Sequence, residues 1–130
     1  MIVVDASAIL EALLQRAAAA AVEERLFEEG LPLHAPHLID LEATQVLRRY
    51  AAAGQIGAVR CRRALDVLRD FPLRRYSHDV LLERVWELRH NLTAYDAAYV
   101  ALAEALDATL LTCDRRLAAA PGHRARVELV

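Results

Sequence analysis

The sequence predicts an α/β fold of three layers, α/β/α, in which helices cover both faces of a central, mainly parallel β-sheet. Short β-branched or aliphatic runs alternate along the chain with longer segments whose apolar residues recur at helical spacing. Parallel strands need long crossover connections, usually helical, and this alternation supplies them. With 130 residues the chain has the size of one domain, so we expect a single domain over residues 1–130.

The first half of the chain predicts two strands and four helices. The run MIVVD at 1–5 predicts a buried strand, and the Asp-Ala-Ser that ends it suits the start of a helix. A second helical stretch covers 17–29 and ends at Gly30. LPLHAP, bounded by prolines, predicts a brief strand. Two more helices are predicted over 37–53 and 56–70, of which the first is long and amphipathic.

The second half repeats the alternation. LRRY at 73–76 predicts a short strand, and residues 78–90 predict a helix. The segment 93–107 is apolar nearly all round, which indicates a buried helix. TLLTC at 109–113 predicts another buried strand, and a short helix begins at Asp114. ARVELV at 125–130 alternates in polarity and predicts a last strand at the edge of the sheet.

Composition and charge exclude several classes of function. All 16 basic residues are Arg, whereas a P-loop, a phosphorylatable receiver, a kinase and a Schiff-base or pyridoxal enzyme each need a Lys. The formal net charge of −2 shows no wholesale basic footprint for nucleic acid. No apolar run approaches the roughly 18 residues of a membrane span. Cys61 and Cys113 have no zinc spacing, so we expect two reduced, buried thiols in a cytoplasmic protein that contacts no membrane.

Two strands end in the same residue type. Asp5 follows MIVV and Asp114 follows TLLTC, and these are the two most apolar strands. Because ligands of a parallel sheet bind outside the carboxyl ends of its strands, we expect the two carboxylates to meet at one edge. The alternative is that each Asp only caps the helix that follows it.

Two helical acids extend this set. On a helical wheel Glu42 falls within the apolar stripe of its helix, where a carboxylate is costly unless it is paired or holds a metal. An internal ion pair with Arg49 is the alternative, whereas Asp40 points to the polar side and is expected to face solvent. Asp96 begins the apolar helix, and the alternative for it is a capping box with Thr93.

Four carboxylates at one edge repel each other strongly unless a cation offsets their charge. Oxygen-only ligands select hard cations, so the expected cofactor is Mg²⁺ or Mn²⁺ rather than Zn²⁺. Such an ion, held by a few acids with open water positions, orients a water molecule, lowers its pKa and neutralises the charge that develops on phosphate. The pattern therefore predicts phosphodiester hydrolysis.

Three segments carry a resemblance to a known family. MIVVDAS at 1–7, LTAYDAAYVALA at 92–103 and LTCDRRL at 111–117, together with the mid-chain helix that holds Glu42, resemble the PIN domain and, more narrowly, the VapC toxins of toxin–antitoxin pairs. The resemblance extends over the whole chain, and the two later motifs are its specific part. A small hydroxyl residue common after the first Asp is replaced here by Ala6.

The resemblance implies a Mg²⁺- or Mn²⁺-dependent endoribonuclease that hydrolyses RNA by metal-activated water. It implies a homodimer held inactive by a small DNA-binding antitoxin. The family's acidic quartet, catalytic and metal-binding, matches Asp5, Glu42, Asp96 and Asp114, and its neighbouring hydroxyl positions match Ser7 and Thr112.

Two other functions stay open from the sequence. The chain could be a PIN-like processing nuclease that is not a toxin, or a non-catalytic α/β interaction module whose acids are caps and ion pairs. An arginine-rich stretch over residues 60–75 is the densest positive segment of the chain, and its Arg74 and Arg75 are candidate contacts for RNA or for the antitoxin.

Overall fold

Five parallel strands form the sheet at the centre of the computed structural model, which describes residues 1–130. Their order across the sheet is β3-β2-β1-β4-β5. The strands are β1 (Ile2–Val4), β2 (Leu33–Pro36), β3 (Leu73–Tyr76), β4 (Thr109–Thr112) and β5 (Arg126–Leu129). The expected parallel sheet is confirmed, and β5 lies at its edge as its alternating sequence predicts.

Helices fill the connections between strands. They are α1 (Ala6–Leu13), α2 (Ala19–Leu26), α3 (Leu38–Ala52), α4 (Ala58–Asp70), α5 (Leu82–Glu87), α6 (Ala94–Leu106) and α7 (Arg115–Ala119), with a 3₁₀ turn at Asp79–Leu81. One group forms around α1, which contacts α2, α3 and α4, and another around α6, which contacts α5 and three strands. The predicted helices between sheet strands are thereby confirmed.

The segment 78–90 differs from its prediction of one helix. It forms a 3₁₀ turn followed by the six-residue helix α5, and only Leu81 and Leu88 are buried around it. These two leucines, seven positions apart, pack the segment against the core, while no residue of α5 itself is buried. A continuous helix therefore has little apolar contact to stabilise it here.

The core is aliphatic, as the low aromatic content requires. One cluster of 33 buried residues runs through the sheet and its helices. Tyr99 of α6 is the largest of the fully buried side chains, with 1% of its surface exposed. Only three buried residues are polar, namely Asp5, His34 and Thr112. Since a buried polar group is costly without a partner, each of these points to a specific network of contacts.

Some large apolar side chains of α3, α5 and the start of α6 stay exposed. We call the exposed residues Leu41, Leu82, Trp86 and Tyr95 the apolar surface. Leu82 and Tyr95 line a small hollow of about 170 Å³ between α5 and α6. Trp86 is 68% exposed, and the Arg89 guanidinium lies 4.5 Å from its ring centroid.

Neither cysteine forms a disulfide. Cys61 is buried as expected, whereas Cys113 is partly exposed, so the expectation of two buried thiols is correct for only one of them. No helix in the structure has the length and apolar character needed to cross a membrane.

The interior strand β4 gives a test of the core. Leu110 is completely buried, so we expect Leu110→Ala to lower the free energy of unfolding by about 2–5 kcal/mol through lost burial and the cavity left behind. Urea unfolding followed by circular dichroism measures this. Leu129→Ala on the edge strand, where the side chain is 43% exposed, is the matched control and should cost much less.

Candidate active site

All four predicted acids line one cleft at the carboxyl ends of the central strands. The cleft has a volume of about 490 Å³ and is bordered by α1, α3, α6 and the residue that precedes α7. Asp5 directly follows β1, and Asp114 comes two residues after β4. The structure thus brings together Asp5, Glu42, Asp96 and Asp114 from four separate segments.

Asp5 is the buried centre of this cleft, with only 6% of its surface exposed. Its Oδ1 accepts hydrogen bonds from the Ser7 hydroxyl at 2.7 Å and from the Ala8 backbone N–H at 3.0 Å. Its Oδ2 accepts one from the Thr112 hydroxyl at 2.8 Å. Three donors therefore replace part of the hydration that burial removes from the carboxylate.

The two hydroxyl groups also bind backbone. The Ser7 Oγ accepts the N–H of Cys113 at 2.9 Å, and the Thr112 Oγ1 accepts the N–H of Asp114 at 2.9 Å. Each hydroxyl donates to Asp5 and accepts from the chain just after β4. Ser7 and Thr112 thus lie beside the acids as expected, and their hydrogen bonds connect the start of α1 to the end of β4.

The capping alternative also describes real contacts. Asp5 caps α1 through Ala8, and the Asp114 Oδ1 caps α7 by accepting the N–H groups of Arg116 at 2.8 Å and Leu117 at 3.3 Å. Capping and a place in the cleft are compatible, because each carboxylate has a second oxygen and further lone pairs.

Glu42 has a different partner from the one considered in the sequence. No ion pair joins it to Arg49; instead its Oε2 accepts a hydrogen bond from the Tyr99 hydroxyl at 2.7 Å. The Arg49 side chain is exposed, lines the cleft and makes no ion pair. The cleft therefore contains an unpaired guanidinium beside its acids.

Asp96 lies in the first turn of α6, where its backbone N–H bonds the Thr93 hydroxyl at 3.2 Å. The helix start predicted from this pair is thus observed, and the Asp96 side chain still reaches the cleft. A position at a helix N-terminus favours the charged carboxylate, but burial outweighs this effect and raises the pKa of Asp96.

Burial raises the pKa of three of the acids. For Asp5, desolvation exceeds the opposing effect of its hydrogen bonds, and the Asp114 charge adds to the rise in pKa. Desolvation also raises the pKa of Glu42, with Asp5 and Asp96 contributing, and that of Asp96, with Asp114 contributing. Neighbouring negative charges therefore act on each other around the cleft.

The donor set fits a hard cation, but the cleft is not a closed cage. No three His, Cys, Asp or Glu side chains lie close enough together to hold a metal ion between them. Separate contacts hold the carboxylates apart. Tyr99 bonds Glu42, Ser7 and Thr112 bond Asp5, and the start of α7 bonds Asp114. Mg²⁺ is commonly bound by one or two carboxylates and several waters, and an open acidic cleft can accommodate that arrangement.

Arg74 and Arg75 do not line the cleft. The Arg75 guanidinium makes two hydrogen bonds to the Asp40 carboxylate, at 2.8 and 2.9 Å, and donates to two backbone carbonyls. Asp40 was expected to face solvent, and this expectation is wrong in part, because its side chain is 40% exposed and ion-paired. Arg74 is exposed and lies over the Tyr76 ring, 5.3 Å from the centroid.

Sequence reasoning missed Tyr99, and it interpreted Arg49 only as an ion-pair partner. A signal for Tyr99 exists, because it lies three residues after Asp96 and so shares its face of α6. Nothing in the sequence indicates that this face reaches α3. The cleft is also lined by Gln45 and Tyr95, which the sequence did not single out.

Comparisons with known proteins agree with the fold. The PIN domain family model matches residues 2–122. Ribonuclease VapC1 of Mycobacterium tuberculosis is 48% identical over 129 residues, which cover 98% of this chain and 96% of that protein. Among solved structures, PAE2754 from Pyrobaculum aerophilum aligns with a TM-score of 0.74 and 25% identity, over 97% of this chain and 81% of that one.

A second solved structure shares the fold at lower identity. VapBC2 from Rickettsia felis, bound to a DNA fragment from its promoter, aligns with a TM-score of 0.73 and 14% identity. The alignment covers 99% of this chain and 98% of that chain.

The raised pKa of Asp96 predicts how stability depends on pH. A carboxyl with a raised pKa destabilises the folded state once pH exceeds its ordinary value of 3.8, because folding then opposes ionisation. In EDTA we expect Asp96→Asn to unfold at a higher urea concentration than the unchanged protein at pH 7. The advantage should disappear as pH falls below 3.8.

The matched control is Asp70→Asn, which removes the same charge from an exposed position at the end of α4. It should show no comparable gain at pH 7. An Asp96→Asn protein that is less stable than the unchanged protein at neutral pH would contradict the prediction.

Proposed function

Because this chain belongs to the PIN domain family and to its VapC branch, we propose that it is a metal-dependent endoribonuclease and the toxin of a type II toxin–antitoxin pair. The observation that carries the proposal is the convergence of Asp5, Glu42, Asp96 and Asp114 on one cleft. The name of the 48% identical relative, a ribonuclease, supports RNA as the substrate.

We propose that the cleft formed by the four carboxylates binds the catalytic cation, Mg²⁺ or Mn²⁺, with one or two of the acids as direct ligands and the others acting through bound water. When bound, the ion orients water, lowers its pKa and neutralises charge on the phosphate. Asp5 is held rigidly by Ser7 and Thr112, so it gives the site a fixed reference point. Asp96 and Asp114 line the same cleft from the starts of two helices.

We propose that RNA enters along the exposed face of α3. Gln45 and Arg49 follow Glu42 by about one and two turns, so they share its side of the helix. Arg49 is the unpaired cation of the cleft and is free to bind a phosphate. Tyr95, 61% exposed beside Asp96, offers a ring on which a base can stack.

The proposed partners are a cognate antitoxin and a second copy of this chain. The structural likeness to VapBC2, solved with promoter DNA, is consistent with an antitoxin partner. The apolar surface supports a homodimer, because large apolar side chains grouped beside a cleft are typical of interaction sites.

Two finer assignments also stay proposals. The free thiols of Cys61 and Cys113 are consistent with a cytoplasmic location. Contact of Arg74 or Arg75 with RNA or antitoxin stays a prediction, and Arg74 is the freer of the two because Asp40 holds Arg75.

The first test is RNA cleavage by Asp96→Asn. We expect the variant to lose detectable cleavage of a labelled RNA pool at saturating Mg²⁺, because the neutral amide removes one of the charges that hold the ion. Asp70→Asn should cleave as the unchanged protein does. Full activity of Asp96→Asn at saturating Mg²⁺ would refute its catalytic assignment.

The second test concerns Arg49. In the Asp96→Asn background, which separates binding from cleavage, Arg49→Gln should weaken RNA binding and reduce the slope of log affinity against log salt by about one. Fluorescence anisotropy at several salt concentrations measures both. Arg63→Gln, an exposed arginine on α4 outside the cleft, is the matched control. Equal affinity and slope in the two variants would remove Arg49 from the RNA path.

A further inference from the structure

The Glu42 carboxylate depends on one protein partner. The Tyr99 hydroxyl donates to its Oε2 at 2.7 Å, and no other side chain or backbone N–H in the structure donates to Glu42. Tyr99 is 1% exposed, so its hydroxyl has little access to water. A buried hydroxyl needs a hydrogen-bond partner, and Glu42 is that partner.

Glu42 gains particularly from such a contact. Asp5 has three donors and Asp114 has two backbone donors, but the Glu42 side chain extends from α3 by a longer and more flexible stem. The charges of Asp5 and Asp96 both act unfavourably on it. Without a donor, like-charge repulsion favours rotation of Glu42 out of the cleft.

Helix α6 brings the donor and another acid to the cleft together. Asp96 and Tyr99 are three positions apart and therefore share one face of the helix. The segment Ala97–Ala103 is entirely buried, so α6 has little freedom to shift. One rigid element thereby places Asp96 directly and Glu42 through the Tyr99 hydroxyl.

We propose that Tyr99 is a positioning residue that holds Glu42 in the orientation in which it binds the divalent cation. The inference rests on the proposed function, since it assumes that the cleft binds such an ion. Among the acids of the cleft, Glu42 is the one that the Tyr99 hydroxyl bonds, so Tyr99 acts on the ion through that carboxylate.

The chemistry of the donor matters for this role. A guanidinium at the same place, such as the Arg49 partner considered from the sequence, would orient Glu42 but would offset the negative charge that attracts the ion. The neutral phenol orients the carboxylate and leaves its full charge available. Glu42 Oε1 has no protein donor and stays free for a ligand. Donors that fix a metal ligand in this way are generally important for metal affinity.

The test is Mn²⁺ binding by the purified protein, measured by electron paramagnetic resonance of the free ion. We expect Tyr99→Phe to raise the Mn²⁺ dissociation constant about tenfold, the lower end of the usual effect of such partners. Tyr76→Phe is the matched control, because it removes a hydroxyl that bonds His34 at 2.8 Å and lies outside the cleft. It should bind Mn²⁺ as the unchanged protein does.

A double variant separates positioning from a general structural role. Glu42→Gln should weaken Mn²⁺ binding by itself, and adding Tyr99→Phe to it should cause no further loss, because Tyr99 acts only through that carboxylate. A further loss in the double variant overturns the proposal. Tyr99→Phe alone leaves the charged Glu42 without a donor, which could impair folding. The double variant has no charge at position 42, so its Mn²⁺ affinity can still be compared with that of Glu42→Gln.

Cleavage kinetics give an independent readout. Tyr99→Phe should need more Mn²⁺ for half-maximal cleavage, while its KM for RNA at saturating Mn²⁺ stays unchanged and most of kcat is restored. A kcat that excess Mn²⁺ does not restore contradicts the proposal.

If the unchanged protein binds no Mn²⁺, the proposed metal site fails. If it binds Mn²⁺ and Tyr99→Phe binds equally well, only the role of Tyr99 fails.

Discussion

The buried carboxylate of Asp5 is the constraint on which the rest of the structure depends. A carboxylate this deep needs donors from the protein in place of water, and Ser7, Ala8 and Thr112 supply them, although they offset only part of the desolvation. These donors come from the first turn of α1 and the end of β4, the strand beside β1. The contacts that compensate the charge therefore also fix the junction of the two central strands, and Asp114 follows directly from that junction.

The layered fold and the edge of the sheet that holds the site could be predicted because they depend on local patterns. Strand ends, helix starts and the acids at them are readable along the chain. The hydrogen-bond partners of Glu42 and Arg75 could not be predicted in this way, because each bond joins residues far apart in sequence. Glu42 and Tyr99 are 57 positions apart, and Arg75 and Asp40 are 35 positions apart. A helical wheel shows that Glu42 faces inward, but it carries no information about which helix lies opposite.

The site combines rigid and exposed parts. Asp5 and Tyr99 are buried in the sheet and α6, whereas Gln45, Arg49 and Tyr95 stand exposed on the borders of the same cleft. Repulsion among the acids lowers the stability of the metal-free protein, and the surrounding aliphatic core supplies the stability that offsets it. This division places the charged groups on fixed elements and leaves the borders open to a long, flexible substrate.

The position of Trp86 determines what intrinsic fluorescence reports in this protein. It is the one tryptophan of the chain, and its indole is 68% exposed on the apolar surface, with the Arg89 guanidinium over its ring. Its surroundings are aqueous in the folded monomer, so unfolding changes its emission wavelength little. Coverage of the apolar surface by another molecule removes that water and shifts the emission to the blue. The indole therefore serves as an optical sensor of association rather than of folding.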